Sequence, residues 1–114
     1  MRRVIISGGG TGGHIYPAIT IARAIADIEP TEFLYVGSKI GLENTLIPKE
    51  GLPFVTLDVR GLERKISFRN LVTLGKTAGS LFRAESIIRH FKPDVVIGTG
   101  GFVCGPVLLA ASLS

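Results

Sequence analysis

The 114-residue sequence holds one cysteine, one methionine, two histidines and no tryptophan. The single cysteine, Cys104, excludes an internal disulfide and fits a reducing compartment. One cysteine with two histidines cannot furnish a structural zinc site, and no carboxylate cluster suggests a harder ion, so no metal is expected. Long apolar runs are missing as well. Val4-Ile5-Ile6, after the basic Arg2-Arg3, is far too short for a secretory h-region. The stretch from Phe102 to Leu113 is broken by Gly105 and Pro106 and cannot span a bilayer. No helix-turn-helix pattern, zinc-finger spacing or aromatic RNA-binding motif is present, so nucleic acid is not an expected partner.

Apolar residues make up 46% of the chain. That is rich for one soluble domain of this length, and it implies strands buried on both faces or apolar surface kept for a partner. The net charge of +4 is local rather than spread. Residues 60–83 hold six basic groups (Arg60, Arg64, Lys65, Arg69, Lys76, Arg83) against the single acid Glu63, while the remainder holds seven basic and eight acidic groups. One surface is therefore expected to meet an acidic partner.

Val4-Ile5-Ile6 reads as a buried strand running into Ser7-Gly8-Gly9-Gly10. Pro17 fits the first turn of a helix over Ala18 to Ile28, which Pro30 ends. Phe33 to Val36 is a second strand, 41–49 a short helix closed by Gly51, and Phe54 to Leu57 a third strand. Ser67 to Phe91 carries Leu71, Leu74, Ala78, Leu81, Ile88 and Phe91 at helical spacing, with Gly75 and Gly79 weakening it as places for a break or a close contact. His90 suits the negative end of that helix. Val95 to Ile97 is a fourth strand, and Pro106 starts a last helix. The alternation predicts an α/β domain: a Rossmann-like parallel sheet with helices on both faces.

The most informative feature is an internal echo. Ile5-Ile6-Ser7-Gly8-Gly9-Gly10-Thr11-Gly12-Gly13, followed by Pro17, is matched by Val96-Ile97-Gly98-Thr99-Gly100-Gly101, followed by Pro106. Each places Thr-Gly-Gly between the end of a strand and the start of a helix. Glycine lets the backbone approach a ligand, and a helix start offers unpaired N–H groups to an anion. In the strand order 3-2-1-4 the two turns face one crevice at the topological switch point. The expectation is that amides of residues 8–13 and 98–101 open onto a shared phosphate or diphosphate pocket. The first turn contains G-x-G-x-x-G, yet the second strand ends Tyr35-Val36-Gly37-Ser38-Lys39 without an acid for a ribose hydroxyl. NAD is therefore not expected, and no other cofactor is implied.

His14 follows the first glycine turn and should sit at the helix mouth. The helix dipole there disfavours added positive charge, and a neutral imidazole could take a proton from a hydroxyl nucleophile. The plainer reading is a histidine that caps or packs against the helix. The basic stretch also carries Leu62, Ile66, Phe68, Leu71 and Val72. A basic rim around exposed apolar groups suits an anionic membrane surface; an ordinary solvated face over a packed helix is the equal alternative.

Gly9-Gly10-Thr11-Gly12-Gly13-His14-Ile15-Tyr16-Pro17-Ala18 resembles the opening signature of the MurG glycosyltransferase family. Lys92-Pro93-Asp94-Val95-Val96-Ile97-Gly98 through Gly105-Pro106 resembles that family's second glycine loop. Ile47 to Leu52 and Arg60-Gly61-Leu62 also resemble it, so the likeness covers essentially the whole chain. The resemblance implies the N-terminal half of a two-domain, GT-B inverting glycosyltransferase, with residues 1–114 as one Rossmann-like domain and the C-terminal, donor-binding domain outside it. It further implies transfer of N-acetylglucosamine from UDP-N-acetylglucosamine to undecaprenyl-diphosphate-linked muramyl pentapeptide in peptidoglycan synthesis. The location it implies is peripheral, on the cytoplasmic face of the bacterial inner membrane. Carried over by position, Thr11, Gly12 and Gly13 touch the donor and His14 is the general base. Gly100, Gly101 and Phe102 hold the acceptor diphosphate. Leu62, Arg64, Lys65, Ile66, Phe68, Arg69, Val72 and Lys76 form the membrane patch. Phe102 stands where the family commonly has tyrosine, and Cys104 where it commonly has serine, which weakens a hydrogen bond expected there. A glycosyltransferase acting on a soluble acceptor and a non-catalytic membrane-docking module are the competing readings.

Overall fold

The computed structural model describes residues 1–10, 12–39, 41–57, 68–101 and 103–113, with the side chains of 68–78 and 80 excepted. Four strands alternate with four helices: β1 (Arg2–Ser7), α1 (Gly12–Ile28), β2 (Thr31–Ser38), α2 (Glu43–Glu50), β3 (Phe54–Leu57), α3 (Phe68–Phe91), β4 (Val95–Gly98) and α4 (Cys104–Leu113). The sheet is parallel throughout, in the order β3-β2-β1-β4. The strand order that the glycine echo requires is thus present.

Side chains alternate across a strand, so a sheet covered on both faces needs apolar residues at consecutive positions. Val4, Ile6, Phe33 and Tyr35 point to one face and pack on Ile15, Ala18, Ile19 and Ala22 of α1 and Ile47 of α2. Ile5, Val36 and Leu57 point to the other, against Ala84 and Ile88 of α3 and Val107 and Ala110 of α4. Ile5, Ile15 and Ile47 are fully buried, each contributing about 1.5–3 kcal/mol of apolar burial. The apolar surplus also reaches the surface, where Phe82, Leu109 and Leu113 are exposed.

Two local readings need revision. First, α1 begins at Gly12, not at Pro17, which lies inside it. A proline at that position forfeits its own bond to the Gly13 carbonyl and crowds it, but Gly13 is exposed, so water can serve that carbonyl. Ile15, buried completely against the sheet, repays the poor helix propensity of the two glycines. Second, α3 runs unbroken for 24 residues, so Gly75 and Gly79 mark no interruption. That helix ends where Lys92 turns to a φ of +54° before Pro93, and His90 in its last turn bonds the Ser86 carbonyl through Nδ1 at 2.7 Å.

The strands' amino ends are tied down separately. Arg3 stacks on the Phe91 ring at 4.4 Å and donates to the Phe91 carbonyl, and its own amide donates to Asp94. A cavity lined by Met1, Arg2, Glu29, Pro30 and Asp94 opens at this end, opposite to the glycine turns. No helix among the described residues is long and apolar enough to cross a membrane.

Candidate functional site

The two glycine turns leave the carboxyl ends of neighbouring strands, with Ser7 paired to Gly98 in register. They touch directly. The Gly9 amide donates to the Gly100 carbonyl at 3.2 Å, and the Thr99 amide donates to the Ser7 carbonyl at 2.9 Å. Gly100 and Gly101 hold φ values of +120° and +96°, a region that L side chains rarely adopt. A Cβ on Gly100 would strike the His14 ring, and one on Gly101 would strike the Gly9 carbonyl. These glycines are required by close approach of one turn to the other.

That same closeness corrects the expected anion cradle. The amides of Gly9, Gly10, Thr99 and Gly100 do not open onto a pocket. Gly9 and Thr99 are spent on the opposite turn, Gly10 donates to Glu43 Oε2 at 2.9 Å, and Gly100 faces Cys104 Sγ at 3.3 Å. The amides of Gly12 and Gly13 find no partner among the described residues, and the first amides of a helix carry its positive end. The first amides of α1 are of the kind that suits an anion, with the glycine turns shaping their surroundings.

His14, the third residue of α1, is half-buried beside this terminus. Its Nδ1 lies 3.2 Å from the Thr99 carbonyl oxygen. A carbonyl can only accept, so the bond requires the proton on Nδ1; in the neutral ring the lone pair then lies on Nε2. Thr99 returns the contact, its Oγ1 donating to the His14 carbonyl at 2.6 Å. The second turn thus fixes the tautomer and place of the histidine on the first, the arrangement in which an imidazole accepts a proton from a hydroxyl.

Cys104 occupies the hydrogen-bonding place expected of a serine. Its buried thiol reaches the Ser7 carbonyl at 3.1 Å and the Gly100 carbonyl at 3.0 Å. These are sulfur contacts, longer and weaker than those of a hydroxyl, yet they still bind α4 to both turns.

Sequence reasoning missed two residues beneath the site. Glu43, at the start of α2, is completely buried. Besides the Gly10 amide it accepts the Ser38 amide at 2.9 Å and the Ser38 hydroxyl. Its carboxylate is wholly engaged inside the protein and cannot serve a ribose, consistent with the missing dinucleotide acid. Tyr35, on β2, donates its hydroxyl to the Gly8 carbonyl at 2.7 Å. Burial, and then the Glu43 charge, raise its phenol well above the ordinary range, so it remains a donor. The only sequence signal for either was negative: an acid and a tyrosine flanking a glycine-rich turn with no evident task.

The remaining site residues were not all brought into view. Thr11, Phe102, Leu62, Arg64, Lys65 and Ile66 lie outside the described residues. Phe68, Arg69, Val72 and Lys76 fall on the first turns of α3, and their side chains lie outside the described set. Among the described residues no three His, Cys, Asp or Glu side chains gather to hold a metal ion.

The chain is similar to known proteins. Over 111 residues the chain is 50% identical to the UDP-N-acetylglucosamine–N-acetylmuramyl-(pentapeptide) pyrophosphoryl-undecaprenol N-acetylglucosamine transferase of Bacillus cytotoxicus. It is 47% identical to the protein of the same name from Bacillus pumilus. Each alignment covers 96% of this chain and 30% of the relative, so the chain spans under a third of the length of these curated relatives. The crystal structure of Acinetobacter baumannii MurG superposes with a TM-score of 0.84 at 29% identity, over 99% of this chain and 33% of that one. The family model described as the glycosyltransferase family 28 N-terminal domain matches residues 4–114. A helix terminus flanked by two interlocked glycine turns, with this likeness along its whole length, makes the chain a member of glycosyltransferase family 28, as its N-terminal domain.

Proposed function

We propose that this domain serves transfer of N-acetylglucosamine from UDP-N-acetylglucosamine to undecaprenyl-diphosphate-linked muramyl pentapeptide, a step of peptidoglycan synthesis. Residues 1–114 supply the acceptor and membrane-binding half of a GT-B enzyme, and a C-terminal domain supplies most donor contacts. The relatives named for this activity support the reading. The observation that carries it is the Nδ1 contact of His14 with the Thr99 carbonyl, which in the neutral ring puts the proton-accepting lone pair on Nε2 at the helix mouth.

In this mechanism His14 Nε2 takes the proton of the acceptor's 4-hydroxyl as its oxygen bonds to C1 of N-acetylglucosamine. The bond from C1 to the diphosphate breaks, UDP leaves, and the anomeric centre inverts. Gly12 and Gly13, with Thr11, stabilise the negative phosphate oxygens at the start of α1. Gly100, Gly101 and Phe102 border the acceptor diphosphate. Leu62, Arg64, Lys65, Ile66, Phe68, Arg69, Val72 and Lys76 form a basic, apolar patch that holds the protein on the anionic cytoplasmic face of the inner membrane.

The test is His14→Ala in the full-length protein, assayed with UDP-N-acetylglucosamine and a lipid-linked acceptor. General-base loss lowers turnover by about 100-fold or more. Unchanged turnover removes His14 from the chemistry.

A further inference from the structure

The mechanism leaves one completely buried charged side chain without a task. Glu43 has no Lys or Arg within ion-pair distance among the described residues. Three donors face it instead: the Gly10 amide on Oε2, and the Ser38 amide and hydroxyl on Oε1. Three donors and no acceptor suit a carboxylate. It opens α2, where the helix dipole favours negative charge. The chain is also trimmed around it, since a Cβ on Gly9, Gly37 or Gly41 would press on its side chain. Burying a carboxylate is costly unless its surroundings are built for it, and these surroundings are.

Gly10 holds a φ of +90°, and among the described residues nothing lies within 4 Å of where its Cβ would stand, so no side-chain contact at that point fixes it. Its bond to Glu43 does. From Gly10 the connection is short: the Gly9 amide donates to Gly100, Gly100 abuts the His14 ring, and Thr99 holds Nδ1. We infer that Glu43 is a positioning residue, a resident carboxylate that fills the anion place of the first glycine turn and thereby keeps His14 seated on the second. The proposal rests on the reading of His14 as the base. It moves the role of the Gly8–Gly10 turn from holding substrate phosphate to holding an internal anion.

The test uses the isotopically labelled chain and three variants. E43Q keeps the shape but turns an NH₂ group toward either Gly10 or Ser38, both donors. E43D keeps the charge on a shorter stem, too short to hold Ser38 and Gly10 together. S38A removes one bond to Glu43 and leaves Gly10 untouched. Two readouts need no turnover: hydrogen exchange at the Gly10 amide, and the imidazole ¹⁵N shifts that report the His14 tautomer. In E43Q, Gly10 exchanges about tenfold faster or more, and His14 passes from the Nδ1–H form to a tautomer mixture. E43D does the same should E43Q fail to fold. S38A lowers the melting temperature and changes neither readout. The proposal is overturned if the Glu43 variant retains Gly10 protection and a single His14 tautomer, or if S38A moves His14 equally, which is the mark of general destabilisation. Failure of the base reading appears elsewhere, as full turnover in His14→Ala, and leaves these signals intact.

Discussion

Thr99 and His14 hold each other by two hydrogen bonds, one in each direction. The Nδ1–H of His14 is donated to the Thr99 carbonyl, and the Thr99 hydroxyl is donated to the His14 carbonyl. The residues stand 85 positions apart in sequence. The pair therefore couples the start of α1 to the end of β4, and the helix terminus that offers Gly12 and Gly13 cannot shift without straining it.

Substitutions on this pair should separate stability from chemistry. Thr99→Val keeps the branched shape and the backbone carbonyl but deletes the hydroxyl donor. It should cost about 1 kcal/mol in denaturant unfolding while His14 keeps its tautomer. Gly100→Ala places a methyl against the imidazole at a φ of +120°. It should cost about 1–3 kcal/mol and also displace the ring. In the full-length protein its turnover should fall well below that of Thr99→Val. Equal activity in the two variants would contradict the requirement for close approach.

Tyr35 provides a pH signature. Its phenol is raised above the ordinary tyrosine value, chiefly by burial. The unfolded chain therefore loses this proton at a lower pH than the folded one. The sign follows from linkage: the contribution is complete below about pH 10 and is lost as pH rises from there toward the folded value. Stability measured by urea unfolding should decline above about pH 10, and Tyr35→Phe should flatten that decline. The same variant should lose about 1 kcal/mol at neutral pH, from the bond to the Gly8 carbonyl. An alkaline decline of undiminished slope in Tyr35→Phe would assign the effect to other groups.

The basic stretch makes a separate prediction. Replacing Arg64, Lys65, Arg69 and Lys76 with serine should reduce flotation of the full-length protein with anionic vesicles. At about 1 kcal/mol per charge near the surface, each loss weakens partitioning roughly fivefold. Raising salt should mimic the substitutions, and neutral vesicles should show no difference. Flotation indifferent to both would favour the solvated-face reading, and with it a soluble acceptor.

Much of this fold is legible because it depends on local rules. Consecutive apolar residues such as Val4-Ile5-Ile6 report burial on both faces, and a strand running into glycines reports a crevice at its carboxyl end. The convergence of the two turns followed from the parallel order, and the Gly9–Gly100 bond bears it out. Pro17 misled because proline favours a first turn, whereas docking of Ile15 on the sheet extended α1 back through two glycines. Which amides stay open was not legible at all. The partner of Gly10 is a carboxylate 33 residues away, and nothing local distinguishes Glu43 from any acid in the first turn of a helix. Long-range polar pairing of this kind carries no period and leaves no spacing to read.

Amide shifts of the labelled 114-residue chain during titration with UDP-N-acetylglucosamine bear most directly on the site as a whole. Gly12, Gly13 and the His14 imidazole should move together and saturably, while Gly9, Gly10, Thr99 and Gly100 keep their internal bonds and shift little. Shifts confined to the far cavity around Arg2, Glu29 and Asp94, with Gly12 and Gly13 unmoved at saturation, would contradict the assignment of the α1 terminus as the phosphate site.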